Sequence, residues 1–365
     1  MLATYLIKVS IFFGVPMQTL FEHNKCTKTA TNSKSLFSSQ LILLQSRKRW
    51  GIMYMMATIT GVVIATSGSF GSFGVFGVNH FQDGILRSLT AVPATFLIIT
   101  GMYVLNDLVD ADLDSSSGKN RPIPSGRITK SQAWIFVIWT NAVGVLLVLF
   151  TFSPLSLILA ASIVAIGILY SAPKICLKER FILKTGSIAA ASMLCLLLGG
   201  SYVFELPGPS FPANSYSHNY TYGNNYNNFG SSNPSIILCI YSALMSGSII
   251  FVTSLLNDLG DVEEDKNFGR KTIPVVIGKS NTIHLNLIIA SSMIAISWSL
   301  FYFSSISLVA PIFVSVIASL VIMQLIKVSG HLADRAFIRM QHKKSLIWHI
   351  SLQLALVVGA LVFLM

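Results

Sequence analysis

The chain has 365 residues, of which 53% are apolar and only 11% are charged, and its formal net charge is +11. This composition, with a mean hydropathy of +0.68, lies far outside the range of soluble domains and indicates a polytopic membrane protein. It leaves no soluble domain that could bind nucleic acid, so the positive charge is expected to orient the protein in the membrane and to attract anionic lipid.

The N-terminal segment, residues 1–45, is predicted to be an extension that precedes a membrane domain over residues 46–365. It opens with the apolar stretch MLATYLIKVSIFFGV, which lacks the basic start and the small-residue cleavage site of a signal peptide. A second unusual segment, residues 205–235, is rich in Asn, Tyr, Ser and Gly. This composition predicts a loop on the outer side of the membrane.

Nine apolar runs are each long enough to cross a bilayer, since a spanning helix needs about 20 mostly apolar residues. They predict an all-α polytopic membrane protein with nine transmembrane helices. The predicted spans are residues 51–69, 87–106, 132–151, 154–171, 185–204, 236–257, 282–302, 305–326 and 346–364.

The basic residues are distributed unequally between the two sides of this topology. With the N-terminus inside, 17 of the 25 Lys and Arg residues fall in the four inside loops, whereas Arg87 is the only one in an outside loop. Cytoplasmic loops of membrane proteins collect Lys and Arg. We therefore expect a multi-pass protein of the cell membrane with a cytoplasmic N-terminus and an external C-terminus.

Acidic residues are concentrated in two short stretches, NDLVDADLD at 106–114 and NDLGDVEED at 257–265, which hold nine of the 14 Asp and Glu residues. Each follows the end of a predicted span, and both ends face the cytoplasm in the predicted topology. Positions i, i+3 and i+7 return to nearly one face of a helix. This spacing is shared by two Asp triads: Asp107, Asp110 and Asp114, and Asp258, Asp261 and Asp265.

The triads have two possible interpretations. They could be solvated helix ends beside basic loops, but two matching triads at one membrane face repel each other unless something binds them. Mg²⁺ prefers one or two carboxylates together with water and phosphate oxygens. The triads therefore favour a site where Mg²⁺ bridges a diphosphate.

Basic and polar residues close to both motifs fit such a site. Arg121 follows the first motif in KNRPIPSGR, and Lys271 follows the second in GRKTIPVVIGK. Tyr170 and Lys174, around the sequence LYSAP, lie on the same predicted face. These residues and Asn106, which directly precedes the first triad, are candidate substrate-binding residues.

The two motifs resemble the signatures of a known family. NDLVDADLDSSSGKNRPIPSG and NDLGDVEEDKNFGRKTIP are similar to the two aspartate-rich signatures of the UbiA superfamily of membrane prenyltransferases. The resemblance covers about residues 45–365. It implies a bundle of nine transmembrane helices around a central cavity and Mg²⁺-dependent transfer of a prenyl group from a prenyl diphosphate donor to an acceptor.

The resemblance also implies roles for individual residues. By motif position it assigns catalysis to Asp107, Asp110, Asp261 and Asp265, with Asp114 and Asp258 as further metal ligands. It assigns substrate binding to Asn106, Arg121, Tyr170, Lys174 and Lys271. Many relatives carry Arg-Pro-x-Asn at the first span, whereas this chain has SRKRWG at 46–51, which leaves Arg47 or Arg49 as a candidate phosphate anchor.

The resemblance indicates the reaction clearly, but it indicates the acceptor less clearly. Within the superfamily the motifs are most similar to the archaeal digeranylgeranylglyceryl phosphate synthases, which imply transfer of a geranylgeranyl group to geranylgeranylglyceryl phosphate in ether-lipid biosynthesis. One alternative is an aromatic acceptor such as 4-hydroxybenzoate, homogentisate or a naphthoate. A divalent-cation transporter is the alternative from another class of protein, although transport favours ionisable residues at mid-membrane depth.

Overall fold

A computed structural model describes residues 36–70, 78–116, 120–204, 234–303 and 306–362. Within these ranges the regular structure is helical and no strand occurs, which confirms the all-α prediction. Nine helices of the described residues are long and apolar enough to cross a membrane, as predicted. Most of the predicted extension, residues 1–35, and most of the predicted outer loop, residues 205–233, lie outside the described part of the chain.

Eleven α-helices are numbered in chain order within the described residues. They are α1 (Leu36–Phe70), α2 (Val78–Val109), α3 (Ala111–Ser116), α4 (Lys130–Leu149), α5 (Pro154–Ser171), α6 (Phe181–Gly199), α7 (Pro234–Asn267), α8 (Ile273–Ile277), α9 (Lys279–Tyr302), α10 (Val309–Ser329) and α11 (Arg335–Val362). The helices α3 and α8 are too short to span a membrane. Short 3₁₀ turns at Leu177–Glu179 and Ser201–Phe204 flank α6.

Two membrane helices begin well before the spans predicted for them. Helix α1 starts at Leu36 rather than at residue 51, and α11 starts at Arg335 rather than at residue 346. Both early segments carry several Lys and Arg residues, at which a search for charge-free runs stops. A helix continues past the hydrocarbon layer, because its backbone hydrogen bonds do not depend on an apolar surrounding.

Helix α1 also runs across the predicted boundary between extension and membrane domain. Leu43, on the extension side of that boundary, is 1% exposed and belongs to the core. The division into residues 1–45 and 46–365 stays a prediction, and α1, the first helix of the described residues, crosses this boundary.

Local sequence signals fix where the helices beside the site begin. Thr129 accepts a hydrogen bond from the backbone N–H of Gln132, whose side chain accepts one from Thr129 in return, so a capping box starts α4. Ser153 caps α5, and Pro154 occupies its first position, where a missing N–H costs nothing. Both caps stabilise the helices that border the acidic motifs.

Glycines allow α1 and α6 to approach each other closely. A Cβ atom on Gly199 would overlap the carbonyl oxygen of Thr58, and one on Gly61 would overlap that of Leu196. Small residues at such a crossing let two membrane helices pack backbone to backbone. The close packing holds the α1–α6 pair that forms one side of the cavity described below.

Candidate active site

The first acidic motif lies where α2 passes into α3. The backbone N–H of Asp110 donates to the carbonyl of Asn106 at 3.0 Å, and that of Asp114 donates to the carbonyl of Asp110 at 2.8 Å. These bonds continue the helical path through the junction and keep the triad together. Asp107 and Asp114 are each only 2% exposed.

Two arginines contact the buried carboxylates of this motif. Arg47 of α1 forms a paired hydrogen bond with Asp107, with its Nε 2.5 Å from Oδ2 and its Nη2 in contact with Oδ1. Arg121 places Nη1 2.9 Å from Asp107 Oδ1 and 2.5 Å from Asp114 Oδ2. Arg121 was predicted to lie at the site, and of the two candidate anchors in SRKRWG it is Arg47 that the structure brings to the motif.

A buried lysine completes the set of cations around the first motif. Lys178 Nζ lies 2.5 Å from Asp110 Oδ1 and 3.4 Å from Asn106 Oδ1. Cys176 has φ of 44°, a left-handed conformation that is uncommon outside glycine, and it turns the chain into the 3₁₀ turn that carries Lys178. The side chain of Lys174, which sequence reasoning selected, is exposed.

Two of the three second-motif aspartates face α6. Lys184 Nζ lies 2.8 Å from Asp258 Oδ1 and 3.4 Å from Asp265 Oδ2. The contact with Asp258 Oδ1 is an ion pair without hydrogen-bond geometry. The hydroxyl of Thr185 also donates to Asp258 Oδ2 at 3.4 Å. Because Asp258 and Asp265 are 1% and 2% exposed, these α6 groups supply the polar contacts that water cannot.

The third aspartate of the second motif faces the opposite neighbour. Arg339 Nη2 of α11 lies 2.6 Å from Asp261 Oδ1, and Arg335 Nη2 lies 2.8 Å from Glu264 Oε2 and 3.6 Å from Asp261 Oδ1. The Asp261 side chain is 26% exposed. The second triad is therefore shared between α6 and α11, whereas the spacing alone predicts one common direction.

A glycine turn brings an arginine back over the second motif. Gly269 has φ of +68°, its N–H donates to the carbonyl of Lys266, and the N–H of Arg270 donates to the carbonyl of Asp265. This pattern is a Schellman motif, which requires a left-handed residue and therefore favours glycine. It places Arg270 Nη1 3.5 Å from Asp265 Oδ1, whereas the side chain of Lys271, the predicted binding residue, is exposed.

The two motifs meet at the same end of the bundle. The backbone N–H of Lys271 donates to the carbonyl of Glu179 at 3.0 Å and so joins the two loops beside the motifs. Burial lowers the pKa of Arg270, but the charges of Asp110 and Asp265 outweigh that effect and raise it, so the guanidinium between the motifs stays charged. Among the described residues, no three His, Cys, Asp or Glu side chains are grouped closely enough to hold an ion alone.

An apolar cavity opens beside the first motif, between α1, α2, α5 and α6. It encloses about 590 Å³ of empty space, including its open mouth, and Asn106 and Tyr170 lie on its wall as predicted candidates. Tyr54 and Tyr103 also line it, and the ring of Tyr103 stacks on that of Trp50 with centroids 5.2 Å apart. The mostly apolar lining with a few polar groups is typical of a small-molecule binding pocket.

Sequence reasoning did not select several cations that contact the motifs. These residues are Lys178, Lys184, Arg270, Arg335 and Arg339. Their positions in loops on the predicted cytoplasmic side were visible from the sequence. Which member of each basic cluster turns inward depends on left-handed residues and helix ends, which charge patterning does not reveal.

Residues 54–348 match the UbiA prenyltransferase family, so the match covers most of the chain. The digeranylgeranylglyceryl phosphate synthase of Methanospirillum hungatei JF-1 is 27% identical over 247 residues, which are 63% of this chain and 77% of the relative. That of Sulfurisphaera tokodaii is 24% identical over 240 residues, 65% and 75% of the two chains. The chloroplastic chlorophyll synthase of Avena sativa is 26% identical over 205 residues, 54% and 46% of the two chains.

Solved structures share the fold. A structure concerned with digeranylgeranylglyceryl phosphate synthase in membranes superposes with a TM-score of 0.61 and 19% identity, covering 90% of this chain and 99% of the other. A UbiA homolog from Archaeoglobus fulgidus bound to GPP and Mg²⁺ gives 0.55 and 15%, covering 88% and 99%. The family match favours prenyl transfer over the alternative of cation transport. The chain belongs to the UbiA prenyltransferase family and is an enzyme that transfers prenyl groups.

Proposed function

We propose that this enzyme transfers a geranylgeranyl group from geranylgeranyl diphosphate to geranylgeranylglyceryl phosphate in ether-lipid biosynthesis, with Mg²⁺ as cofactor. The observation that carries the reaction is the position of buried carboxylates and cations at the polar end of an apolar cavity. The acceptor is supported by the relatives, several of which are named digeranylgeranylglyceryl phosphate synthase.

The acidic residues fit Mg²⁺ by their donor chemistry. The ion takes hard oxygen ligands and is usually held by one or two carboxylates plus water and substrate phosphate, so a closed cluster of three acidic groups is not required. The residues that would hold it are Asp107, Asp110 and Asp114 in the first motif and Asp258, Asp261 and Asp265 in the second. Bound Mg²⁺ supplies Lewis-acid stabilisation of the leaving diphosphate.

The surrounding cations bind and orient the diphosphate. Arg121 and Lys178 both reach the first motif from loops at the mouth of the cavity, and each already makes a charge-assisted hydrogen bond of 2.5 Å. Phosphate oxygens are acceptors of the same kind as carboxylate oxygens. These two side chains can therefore hold the diphosphate beside Asn106, at the entrance of the apolar space.

The cavity protects the reacting carbon from water. As the allylic C–O bond breaks, its electron pair leaves with the diphosphate and positive charge builds on the prenyl carbon. Tyr54 and Tyr103 line the space in which that charge would develop, and aromatic rings attract cations. The acceptor hydroxyl oxygen then forms the new C–O bond and releases its proton, while the apolar walls exclude competing water.

The proposed orientation places both acidic motifs at the cytoplasmic face. The nine membrane helices of the described residues put the two ends of the membrane domain on opposite sides, and the proposal assigns the N-terminus to the cytoplasm and the C-terminus to the outside. Most of the Lys and Arg residues then lie inside, as is usual for membrane proteins.

A reconstituted transfer assay tests the proposal. Purified enzyme in liposomes receives geranylgeranyl diphosphate and Mg²⁺ with either geranylgeranylglyceryl phosphate or 4-hydroxybenzoate as acceptor. Asp107→Asn and Asp261→Asn should abolish ether-lipid formation. Asp112→Asn is the matched control, because Asp112 is exposed and pairs with the exposed Lys130. Transfer to the aromatic acid alone would replace the acceptor, and no Mg²⁺-dependent product would refute the proposed function.

A further inference from the structure

The walls of the cavity repeat one residue spacing on two helices. Helices α2 and α5 each contribute residues at i, i+3, i+4 and i+7, the pattern of a single helix face. These residues are Ile99, Met102, Tyr103 and Asn106 on α2, and Ile163, Ile166, Gly167 and Tyr170 on α5. Single faces of α2 and α5 therefore form two of the four walls of the cavity, which we call the slot.

The slot changes from polar to apolar along its length. Its mouth carries Asn106 and Tyr170, whereas its inner end carries Ile99 and Ile163, which are 4% and 2% exposed. Seven residues separate mouth and inner end on each helix, which corresponds to about 10 Å at a rise of about 1.5 Å per residue. A molecule with a charged head and an apolar tail would enter with its head at the mouth.

Near the middle of the slot, Gly167 leaves room for the side chain of Met102, which packs directly against it. A Cβ atom on Gly167 would lie 2.5 Å from both Cγ and Sδ of Met102 on the opposite wall. Real side chains do not approach so closely, so any larger residue at this position must displace the methionine. Methionine is flexible enough to move, and the slot is the open space next to it.

The position of this narrow point corresponds to one isoprene unit. Gly167 lies three residues below Tyr170, and Met102 lies four below Asn106, which is about 5 to 6 Å along the slot. An isoprene unit places four carbons along the chain and spans about 5 Å with carbon–carbon bonds of about 1.5 Å. With the diphosphate at the mouth, the first unit ends at the narrow point and the second must pass it.

We propose that Gly167 and Met102 form a size filter for the prenyl donor, so that the small volume of Gly167 permits donors longer than one isoprene unit. This inference rests on the proposed function, because it places the diphosphate at Asn106 and Lys178. Dimethylallyl diphosphate ends before the filter, whereas geranyl and geranylgeranyl diphosphate extend through it.

Donor competition tests the filter. Purified Gly167→Ala and Gly167→Val enzymes receive dimethylallyl, geranyl and geranylgeranyl diphosphate with the same acceptor. The kcat/KM of geranylgeranyl relative to dimethylallyl diphosphate should fall in Gly167→Val by about tenfold or more, since the displaced methionine would occupy space that the longer donor needs. Combining Gly167→Ala with Met102→Ala should restore the ratio lost in Gly167→Ala. Gly186→Ala is the matched control, because no atom lies within 4 Å of its added Cβ.

A binding measurement separates this inference from the proposed function. Each donor diphosphate and inorganic diphosphate are tested for thermal stabilisation of the same variants. Gly167→Val should lose stabilisation by the geranylgeranyl compound and keep that by inorganic diphosphate. If the wild type transfers no prenyl group, the proposed function fails and this measurement still decides the filter. The filter would be refuted if both Gly167 variants kept the wild-type kcat/KM ratio of the two donors and the wild-type donor binding. It would also be refuted if Met102→Ala did not restore the ratio.

Discussion

Replacing Lys178 with alanine tests the site most directly, because structure and sequence select different lysines. Lys178 is 7% exposed and reaches Asp110 at 2.5 Å, whereas Lys174, four residues earlier, is exposed. If Lys178 holds the diphosphate at the cavity mouth, Lys178→Ala should lower kcat/KM strongly and Lys174→Ala should leave it nearly unchanged.

The size of the loss follows from the contact that disappears. A hydrogen bond to a charged group contributes about 1.5 to 3 kcal/mol, and each 1.4 kcal/mol corresponds to about a tenfold change in rate. The kcat/KM of Lys178→Ala should therefore fall by about 10-fold to 150-fold. Loss of the cation also leaves Asp110 with fewer opposing charges, which destabilises the mouth of the site.

Four variants, Lys178→Ala, Lys178→Met, Lys178→Arg and Lys174→Ala, separate binding from stability. Prenyl transfer is measured over a range of donor concentrations, and the melting temperature of each variant is measured in the same detergent. Lys178→Met keeps the apolar stem and removes the charge, so it should retain packing and lose activity. Lys178→Arg should recover part of the activity because it restores the charge. An effect of Lys174→Ala equal to that of Lys178→Ala would refute the assignment.

Further expectations concern packing, the second motif and a thiol. Gly199→Ala should lower the melting temperature, since its Cβ overlaps a backbone carbonyl and overpacking costs about 1 to 3 kcal/mol, whereas Gly186→Ala should not lower it. Arg270→Ala should reduce kcat/KM more than Lys271→Ala, because only the first side chain contacts the second motif; equal losses would contradict this. Burial and the nearby Glu179 raise the pKa of Cys176 to about 11, so its alkylation in a Cys26→Ser background should accelerate from pH 7 to 10; a rate that levels off near pH 8 would contradict this.

The fold could be predicted from the sequence because the length of an apolar run does not depend on tertiary contacts. Apolar runs of bilayer length predicted nine membrane helices, and the structure confirms that number within its described residues. The ends of α1 and α11 were predicted too far along the chain, since both helices begin in basic segments. Hydropathy reports where a helix meets lipid, and a helix that extends into water beyond the lipid gives no such signal.

The candidate site was predictable in its acids and less so in its cations. Helical spacing correctly brings Asp107 and Asp114 to one buried position with Arg121. Spacing did not predict that Asp261 faces α11, because that direction depends on where α11 packs against α7. The inward turn of Lys178 depends on a left-handed residue, Cys176, which has no reliable sequence signal.

The length of α7 has a consequence for how the enzyme meets its substrates. Its 34 residues span about 51 Å at about 1.5 Å per residue, whereas the hydrocarbon layer is about 30 Å thick. The second acidic motif, near the end of this helix, is thus carried to the level of the lipid headgroups. Substrates with long tails reach that depth by lateral diffusion within the membrane, so turnover is governed by their number per unit of membrane area. Adding empty lipid or detergent would dilute them and slow the enzyme even when their amount per litre stays the same.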